Sequence, residues 1–593
     1  MANTNLCSSL PLAETRIGVF RAIGAERRNL GFADNAHLIR RAIAAALLCL
    51  VTPVVAETGD AAVFTYVSYR GHDPIEAAMP LKPGQFRNPI LSGVHPDPSI
   101  VRVGRDYYIV NSSFGFYPGL PIYHSRDLVN WTQIGNAIDR PDMLDFSGLG
   151  ISRAVFAPTI RHHNKLFYIV NTCTDCGGNF IITAKNPAGP WSSPIFLPPV
   201  DGIDAEIFFD ADGRVWISNN GPPIGTPRYD GHRALWIQEL DLKLMKMTGP
   251  RTVIVDGGVK PAANPIWTEG PHLIRRDGWY YLLAAEGGTA GEHSQTVFRS
   301  RKITGPYLPG PVNPILTQRD LDPARPFPVY ATGHADFVQT PKGDWWTVFL
   351  GTRPYESALS NMGRETFLLP VRWPKDGWPS ILTAGTPVPQ VLRRPELPLG
   401  KIVDRKQWLD DFTAPNLAHS WLMLRQPKDR WFTLSPKRLT LRAQPVSLGS
   451  TANPSFLARR QEHSFATVET ELKYIPARDG DRAGLAVFAD EQHYYFVGLQ
   501  QTPTGAKVVV MVRNGAADPD SGRVIASAPY ASSTGRPLRL RLAAKGALYD
   551  FSYATGSGGW QTLLSDADGR ILASERSNQF TGTVIGVLAE RAN

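Results

Sequence analysis

Apolar positions fall in short runs broken by polar turns along nearly the whole chain, and from about residue 84 the runs recur as one theme. Each recurrence has an apolar strand, a polar turn, an aromatic-rich strand, a third strand and a closing aromatic. The second strands stand out: Asp106-Tyr107-Tyr108-Ile109-Val110, Leu166-Phe167-Tyr168-Ile169-Val170, Arg214-Val215-Trp216-Ile217-Ser218, Trp279-Tyr280-Tyr281-Leu282-Leu283 and Trp345-Trp346-Thr347-Val348-Phe349. Aligned on Tyr108, Tyr168, Trp216, Tyr281 and Trp346, they are spaced by 60, 48, 65 and 65 residues. Gly104, Asn164, Asp212-Gly213, Asp277-Gly278 and Lys342-Gly343 precede them as hairpin turns. Trp131, Trp191 and Tyr307 close units behind Asn130 or a Gly-Pro pair. Five four-strand units with no helical period between them predict an all-β chain that opens with a five-bladed β-propeller. One sandwich of so many strands would be far too large.

After Arg393-Arg394-Pro395 the theme lapses into a Pro- and Leu-rich connector, and a second pattern begins at Trp408. Leu439-Thr440-Leu441-Arg442, Thr467 to Leu472, Leu538 to Leu542 and Tyr549 to Tyr553 alternate with period two. Leu485 to Phe488, Tyr494 to Leu499 and Val508 to Val512 are continuously apolar. Together they predict an antiparallel β-sandwich of the jelly-roll or concanavalin-like kind. The expected organisation is an N-terminal extension and signal peptide over 1–56, a linker over 57–83, the propeller over 84–395, a connector over 396–407 and the sandwich over 408–593.

The signal peptide rests on Arg40-Arg41, the apolar run Ala42 to Val51 and the small-residue end at Ala56. The run is too short to span a bilayer comfortably, so the chain is expected to be exported to the periplasm or the cell exterior. Six arginines and three acidic residues lie within 1–56, and without them about +6 of the formal +9 charge remains. No block of Lys/Arg interleaved with aromatics accompanies it, which argues against a nucleic-acid partner. Beyond residue 56 only Cys173 and Cys176 remain. They can close a small disulfide loop in an oxidising compartment, and no further soft ligands are spaced for a metal site.

Candidate chemistry lies at the first strand of each unit, because in a propeller those strands line one axis. Asp97 sits between Pro96 and Pro98, in stiff backbone just ahead of Ile100-Val101. Asp204 lies in Ile203-Asp204-Ala205-Glu206-Ile207-Phe208, Glu269 in Thr268-Glu269-Gly270-Pro271 and His334 in Gly333-His334-Ala335. Acidic side chains in such strands need a chemical reason. Hydrolysis of a glycosidic bond supplies one: an acid protonates the leaving oxygen, and a carboxylate acts on the other face of the sugar. Where that carboxylate activates water, the configuration inverts and the pair stands about 6.5–9.5 Å apart. Glu269, with the longer reach, suits the acid and Asp97 the base. Asp204 can hold the acid protonated by like-charge repulsion. His334 and Arg364 can hold sugar hydroxyls or tune the carboxylates, and Phe114 and Phe156 can wall a sugar ring. Phe116 reads as core, and Arg364 has an alternative partner in Glu365.

These residues resemble a known family. Asn88-Pro89-Ile90-Leu91 through His95-Pro96-Asp97-Pro98-Ser99-Ile100, Trp267 to Leu273, Ala285-Glu286-Gly287-Gly288-Thr289 and Gly363-Arg364-Glu365-Thr366 look like glycoside hydrolase family 43, in its β-xylosidase/α-L-arabinofuranosidase branch. Asp410-Asp411-Phe412 and Asn453 to Gln461 resemble that branch's C-terminal sandwich. The resemblance covers about residues 84–590. It implies a five-bladed propeller and an inverting mechanism with Asp97 as base, Glu269 as acid and Asp204 as pKa modulator. It also implies substrate contacts at Phe114, Phe156, His334 and Arg364. No cofactor is required by it, although some members hold calcium near the channel histidine, here His334. The implied substrates are xylo-oligosaccharides and arabinoxylan, cleaved from chain ends. Two departures affect the pocket wall: Thr159 follows Phe156-Ala157-Pro158 where relatives often carry Asp, and Asn219-Asn220-Gly221 lacks a tryptophan that some relatives place there. A dedicated arabinofuranosidase, a non-catalytic carbohydrate-binding propeller and a retaining fructan- or sucrose-cleaving propeller are the alternatives.

Overall fold

The computed structural model describes residues 60–530, 536–577 and 579–592. The expected signal peptide lies outside the described residues. Five antiparallel sheets follow one another from residue 99 to 371. They open with the inner strands Ser99–Val103, Thr159–His163, Ile203–Phe209, Glu269–Arg276 and Tyr330–Gln339. The aromatic-rich runs are the second strands: Asp106–Val110, Leu166–Thr174, Val215–Gly221, Trp279–Glu286 and Trp345–Thr352.

These second strands are apolar on both sides because each sheet is covered on both sides. Phe167 and Ile169 pack with Val110 and Ile122 of the first sheet, whereas Tyr168 and Val170 pack with Ala205 and Ile207 of the third. Leu282 and Ala284 likewise join Leu235 and Ile237, and Tyr281 and Leu283 join Phe349 and Phe367. A fifth apolar cluster returns from Val338, Trp346 and Val348 to Ile100, Tyr107 and Ile109 of the first sheet. Each fully buried aliphatic or aromatic side chain contributes about 1.5–3 kcal/mol to this packing. The ring is latched by the segment before it. Asn88 donates from Nδ2 to the Leu368 carbonyl (3.0 Å) and accepts from the Leu368 N–H (2.9 Å), while Gln85–Arg87 pairs with Val391–Arg393.

Two further sheets form the sandwich. One runs in the order Phe432–Ser435, Arg438–Arg442, Ala61–His72, Phe465–Lys473, Leu538–Lys545, Leu548–Thr555, Gln561–Asp568, with Gln407–Asp410 also on Ala61–His72. The other runs Phe456–Arg460, Val584–Glu590, Arg482–Asp490, His493–Thr502, Gly505–Asn514, Arg523–Pro529. Leu485, Val487, Val497, Leu540, Leu542 and Val587 fill the space between them.

The linker expected over 57–83 is corrected by this topology. Residues 61–72 form a strand in the interior of the larger sheet, with Ala62, Phe64, Val67 and Tyr69 buried, and Ile75–Ala78 is a short helix. The expected connector also ends early, since Gln407 already belongs to a strand. Phe116 is a core residue: it pairs with Leu424 and packs with Phe456, Phe488 and Phe496 where the ring of sheets meets the sandwich. Cys173 and Cys176 are joined by a disulfide across a turn of the second sheet. Among the described residues no helix is long and apolar enough to cross a membrane.

Candidate active site

The site forms where the inner strands begin, and the backbone there is distorted in a shared way. Asp97, Asp204 and His334 have φ of 50°, 56° and 51°, in the left-handed region that costs a non-glycine residue about 1–3 kcal/mol. Strand register breaks between Ile203 and Glu206, between Glu269 and His272, and on both sides of Gly333. Such bulges re-aim side chains that a regular pleat would point into the neighbouring sheet. Gly270 (φ 57°) is required beside Glu269, because a Cβ there would lie 2.7 Å from His334 Nε2.

Asp97, Asp204, Glu269, His334 and Arg364 converge and are only 5–8 % exposed. Arg364 donates from Nη1 to Asp97 Oδ1 (3.2 Å), His334 Nδ1 lies 3.6 Å from the same oxygen, and the Ser112 hydroxyl donates to Oδ2. Burial alone would raise the Asp97 carboxyl, but Arg364, His334 and the Ser112 hydrogen bond outweigh it and hold the group below the usual carboxylate range. The other two carboxyls move the opposite way. Burial, then the charge of Asp97, pushes Asp204 up to about 7, although Gly270 N–H donates to its Oδ2 (3.2 Å). Burial, then the charges of Asp204 and Asp97, lifts Glu269 well above the usual range. Burial lowers His334 to about 4, leaving its imidazole neutral near pH 7. The site therefore contains one carboxyl favoured as anion, Asp97, and two shifted toward the acid form, Glu269 further than Asp204, and so holds the opposed pair that acid–base chemistry at a single bond requires.

The aromatic wall is also assembled. Phe114 and Phe156 meet edge to face with ring centres 5.5 Å apart, and Arg364 lies 5.6 Å above Phe114. A third ring, Phe580, comes from the sandwich. It stacks on Phe114 at 5.9 Å, meets Phe156 edge-on at 5.9 Å, and accepts at its carbonyl from Arg364 Nη2 (3.2 Å). Its position in the chain offers no sequence signal, because only docking of the sandwich brings it to the pocket. Ser112 and His293 were also missed. His293 is buried beside Gly333, with neither ring nitrogen hydrogen-bonded, and burial holds it down to about 3. Glu365 engages Arg353 (2.6 Å), so the alternative Arg364–Glu365 pairing is replaced by Arg364–Asp97.

Calcium at His334 does not fit these residues. His334 Nδ1 faces Asp97, and the acids on the strands beneath, Glu206 and Asp336, are engaged by the guanidinium of Arg161 at 2.7 and 2.8 Å. Among the described residues no three His, Cys, Asp or Glu groups converge as metal ligands.

Comparison with known proteins matches residues 86–379 to the model of glycosyl hydrolases family 43 and residues 409–593 to a beta xylosidase C-terminal concanavalin A-like domain. A xylosidase/arabinosidase of Butyrivibrio fibrisolvens is 42% identical over 414 residues, 69% of this chain and 78% of that protein. The non-reducing end alpha-L-arabinofuranosidase BoGH43B of Bacteroides ovatus is 35% identical over 85% of this chain and 91% of its own length. Among solved structures, a GH43_12 protein retrieved from a capybara gut metagenome superposes with a TM-score of 0.83 at 35% identity, covering 90% of this chain and all of that one. Xylan beta-1,4-xylosidase from Bacillus halodurans C-125 gives 0.78 at 33% identity, covering 85% and 96%. With both halves matched and relatives of 35–42% identity over most of their length, the chain belongs to glycosyl hydrolase family 43 and is a glycosidase with a propeller domain and a C-terminal β-sandwich.

Proposed function

We propose that this protein is an exo-acting, inverting glycosidase that releases β-D-xylosyl units from xylo-oligosaccharides and also acts on α-L-arabinofuranosides. The observation that carries the reading is the convergence of Asp97, Asp204 and Glu269 beside Arg364 and His334, with Asp97 and Glu269 poised oppositely. Asp97, kept ionised by Arg364 and Ser112, takes a proton from the water that attacks the anomeric carbon. Glu269, kept protonated by burial and by Asp204, gives its proton to the departing oxygen. The C–O bond to the leaving sugar breaks as the bond to water forms on the opposite face. Asp204 also accepts from Gly270 N–H and so ties the strand that carries Glu269 to its own. Phe114, Phe156 and Phe580 enclose the terminal sugar, and His334 and Arg364 present polar groups to its hydroxyls. A pocket closed on the sandwich side by Phe580 suits a chain end better than a chain interior.

The fold reading that goes with this is a five-bladed propeller, supported by five consecutive sheets whose apolar interfaces return from the fifth to the first. Export is part of the proposal, supported by the Arg40 to Ala56 pattern and by the Cys173–Cys176 disulfide. The test is parallel turnover of p-nitrophenyl β-D-xyloside and α-L-arabinofuranoside, with proton NMR of the first anomer released. Xyloside turnover with inverted product is expected. Negligible xyloside turnover beside strong arabinofuranoside turnover would make the protein a dedicated arabinofuranosidase, and a retained anomer would exclude the water-activating role of Asp97.

A further inference from the structure

We infer that Arg161, which touches none of the proposed reacting groups, is a positioning residue for hydrolysis: its guanidinium fastens together the five inner strands one pleat below the catalytic layer. The inference deepens the reading above and rests on its assignment of Asp97 and Glu269.

The geometry is specific to the axis of the ring. Arg161 projects from Thr159–His163, the inner strand of the second sheet. It donates from Nη2 to Glu206 Oε1 of the third sheet (2.7 Å) and to His272 Nδ1 of the fourth (3.1 Å). From Nη1 it donates to Asp336 Oδ2 of the fifth (2.8 Å) and to Ser99 Oγ of the first (3.2 Å). Each of the other four inner strands thus sends one side chain to a single guanidinium. The acceptors are themselves braced. Asp336 Oδ2 also accepts from Ser99 Oγ (2.8 Å) and Ile100 N–H (3.0 Å), and Glu206 Oε2 from Leu273 N–H (2.7 Å).

The register of these residues gives the hub its meaning. Ser99, Glu206 and Asp336 each lie two positions after a catalytic-layer residue: Asp97, Asp204 and His334. His272 lies three after Glu269, across a bulge. Asp97, Asp204 and His334 have left-handed backbone on these strands or just ahead of them, as does Ala331. Strained conformations persist only where the surroundings over-determine them. The guanidinium meets that condition: planar, forked and permanently charged, it binds several strands in fixed directions, and burial pays for itself only because Glu206 and Asp336 neutralise it. Loss of the fork would let the bulged strands relax and spread the carboxyls without removing any group from the pocket.

The experiment compares Arg161→Lys and Arg161→Ala with the parent for kcat, KM and melting temperature on whichever p-nitrophenyl glycoside the parent hydrolyses. Glu269→Gln is assayed alongside. Arg482→Lys serves as the control: it alters a buried arginine of the sandwich that is paired to Glu590 at 2.6 Å. Arg161→Ala is expected to lose about 100-fold in kcat with KM little changed, the size of effect that slight misplacement of reacting groups produces. Guanidinium chloride at tens of millimolar should restore part of that loss where equal sodium chloride does not. Arg161→Lys keeps the charge but not the fork, and should lose about tenfold in kcat with KM unchanged. Arg482→Lys should lower the melting temperature and leave kcat alone. Should Arg161→Ala not fold, Arg161→Lys decides. A kcat within about threefold of the parent's in a folded Arg161 variant, a loss that merely follows the folded fraction as in Arg482→Lys, or no recovery with guanidinium in folded Arg161→Ala overturns the inference. Full activity of Glu269→Gln would instead overturn the acid assignment, whatever Arg161 does.

Discussion

Where the two sheets of the sandwich meet, the chain buries Leu485, Val487, Val497, Leu540 and Leu542. Where the five inner strands meet, it buries Glu206, Asp336 and His272 around the partly buried Arg161 and, one pleat above, Asp97, Asp204 and Glu269. The first centre gains from removing apolar surface from water and tolerates modest shifts. The second gains little net stability, because desolvation of each ion offsets most of the pairing, and it is unforgiving of any lost partner. One half therefore supplies stability without direction, and the other supplies direction while depending on its apolar flanks for stability. The sandwich is not a bystander, since Phe580 crosses to the pocket and Ala61–His72 leads the chain from it into the ring.

The sharpest way to break this contrast is to remove residues 60–83. If the segment were a linker, the remainder would fold. As an interior strand paired to three others, its loss strips hydrogen bonds from both edges and uncovers Phe64, Val67 and Tyr69. We expect no soluble, cooperatively melting protein, checked by size exclusion and thermal denaturation. Next in size, Glu269→Gln should lower kcat by about 10²–10⁴-fold while xylose or xylobiose binding, measured calorimetrically, persists. In the sandwich, Leu485→Ala should cost about 2–5 kcal/mol in denaturant unfolding yet leave the kcat of the native enzyme unchanged. A smaller effect, and one that blurs the division, is expected of Phe580→Ala. Loss of its stacking should raise KM by roughly tenfold, about 1.4 kcal/mol, with little change in melting temperature.

These outcomes also separate what could be read in the chain from what could not. Asp97, Asp204, Glu269 and His334 were legible because charged or polar groups stood in strand positions that the pattern reserves for apolar ones. The aromatic-rich strands were legible because burial on both faces leaves continuous apolar runs. Residues 61–72 were missed for a local reason: the bulge between Phe64 and Val67 breaks the period-two alternation in the middle of the strand. Arg161 was hidden differently. In Thr159-Ile160-Arg161-His162-His163 it alternates with Ile160 as a solvent-facing residue of a half-buried strand would. Only closure of the ring turns that side toward an axis rather than toward water. Phe580 carried no pattern, since its neighbours are a short helix and a loop.

The gentlest probe bears on how the charged centre is tuned. Asp204→Asn removes a carboxyl whose charge is one of the causes holding Glu269 high, while the amide oxygen can still accept from Gly270 N–H. In the proposed mechanism, activity needs Asp97 ionised and Glu269 protonated. The acid limb of the pH–rate profile therefore follows Asp97, held low by Arg364, and the basic limb follows Glu269. Without the anion at 204, Glu269 loses its proton more easily, so the basic limb should move to lower pH. Asp204, pushed up to about 7, is already uncharged where Asp97 titrates, so the acid limb should stay in place. Both limbs are read from kcat/KM against pH, where they report groups of the free enzyme. A basic limb that stays in place, or moves to higher pH, would mean that burial alone holds the acid protonated, and that Asp204 serves the strand it braces rather than the proton its neighbour carries.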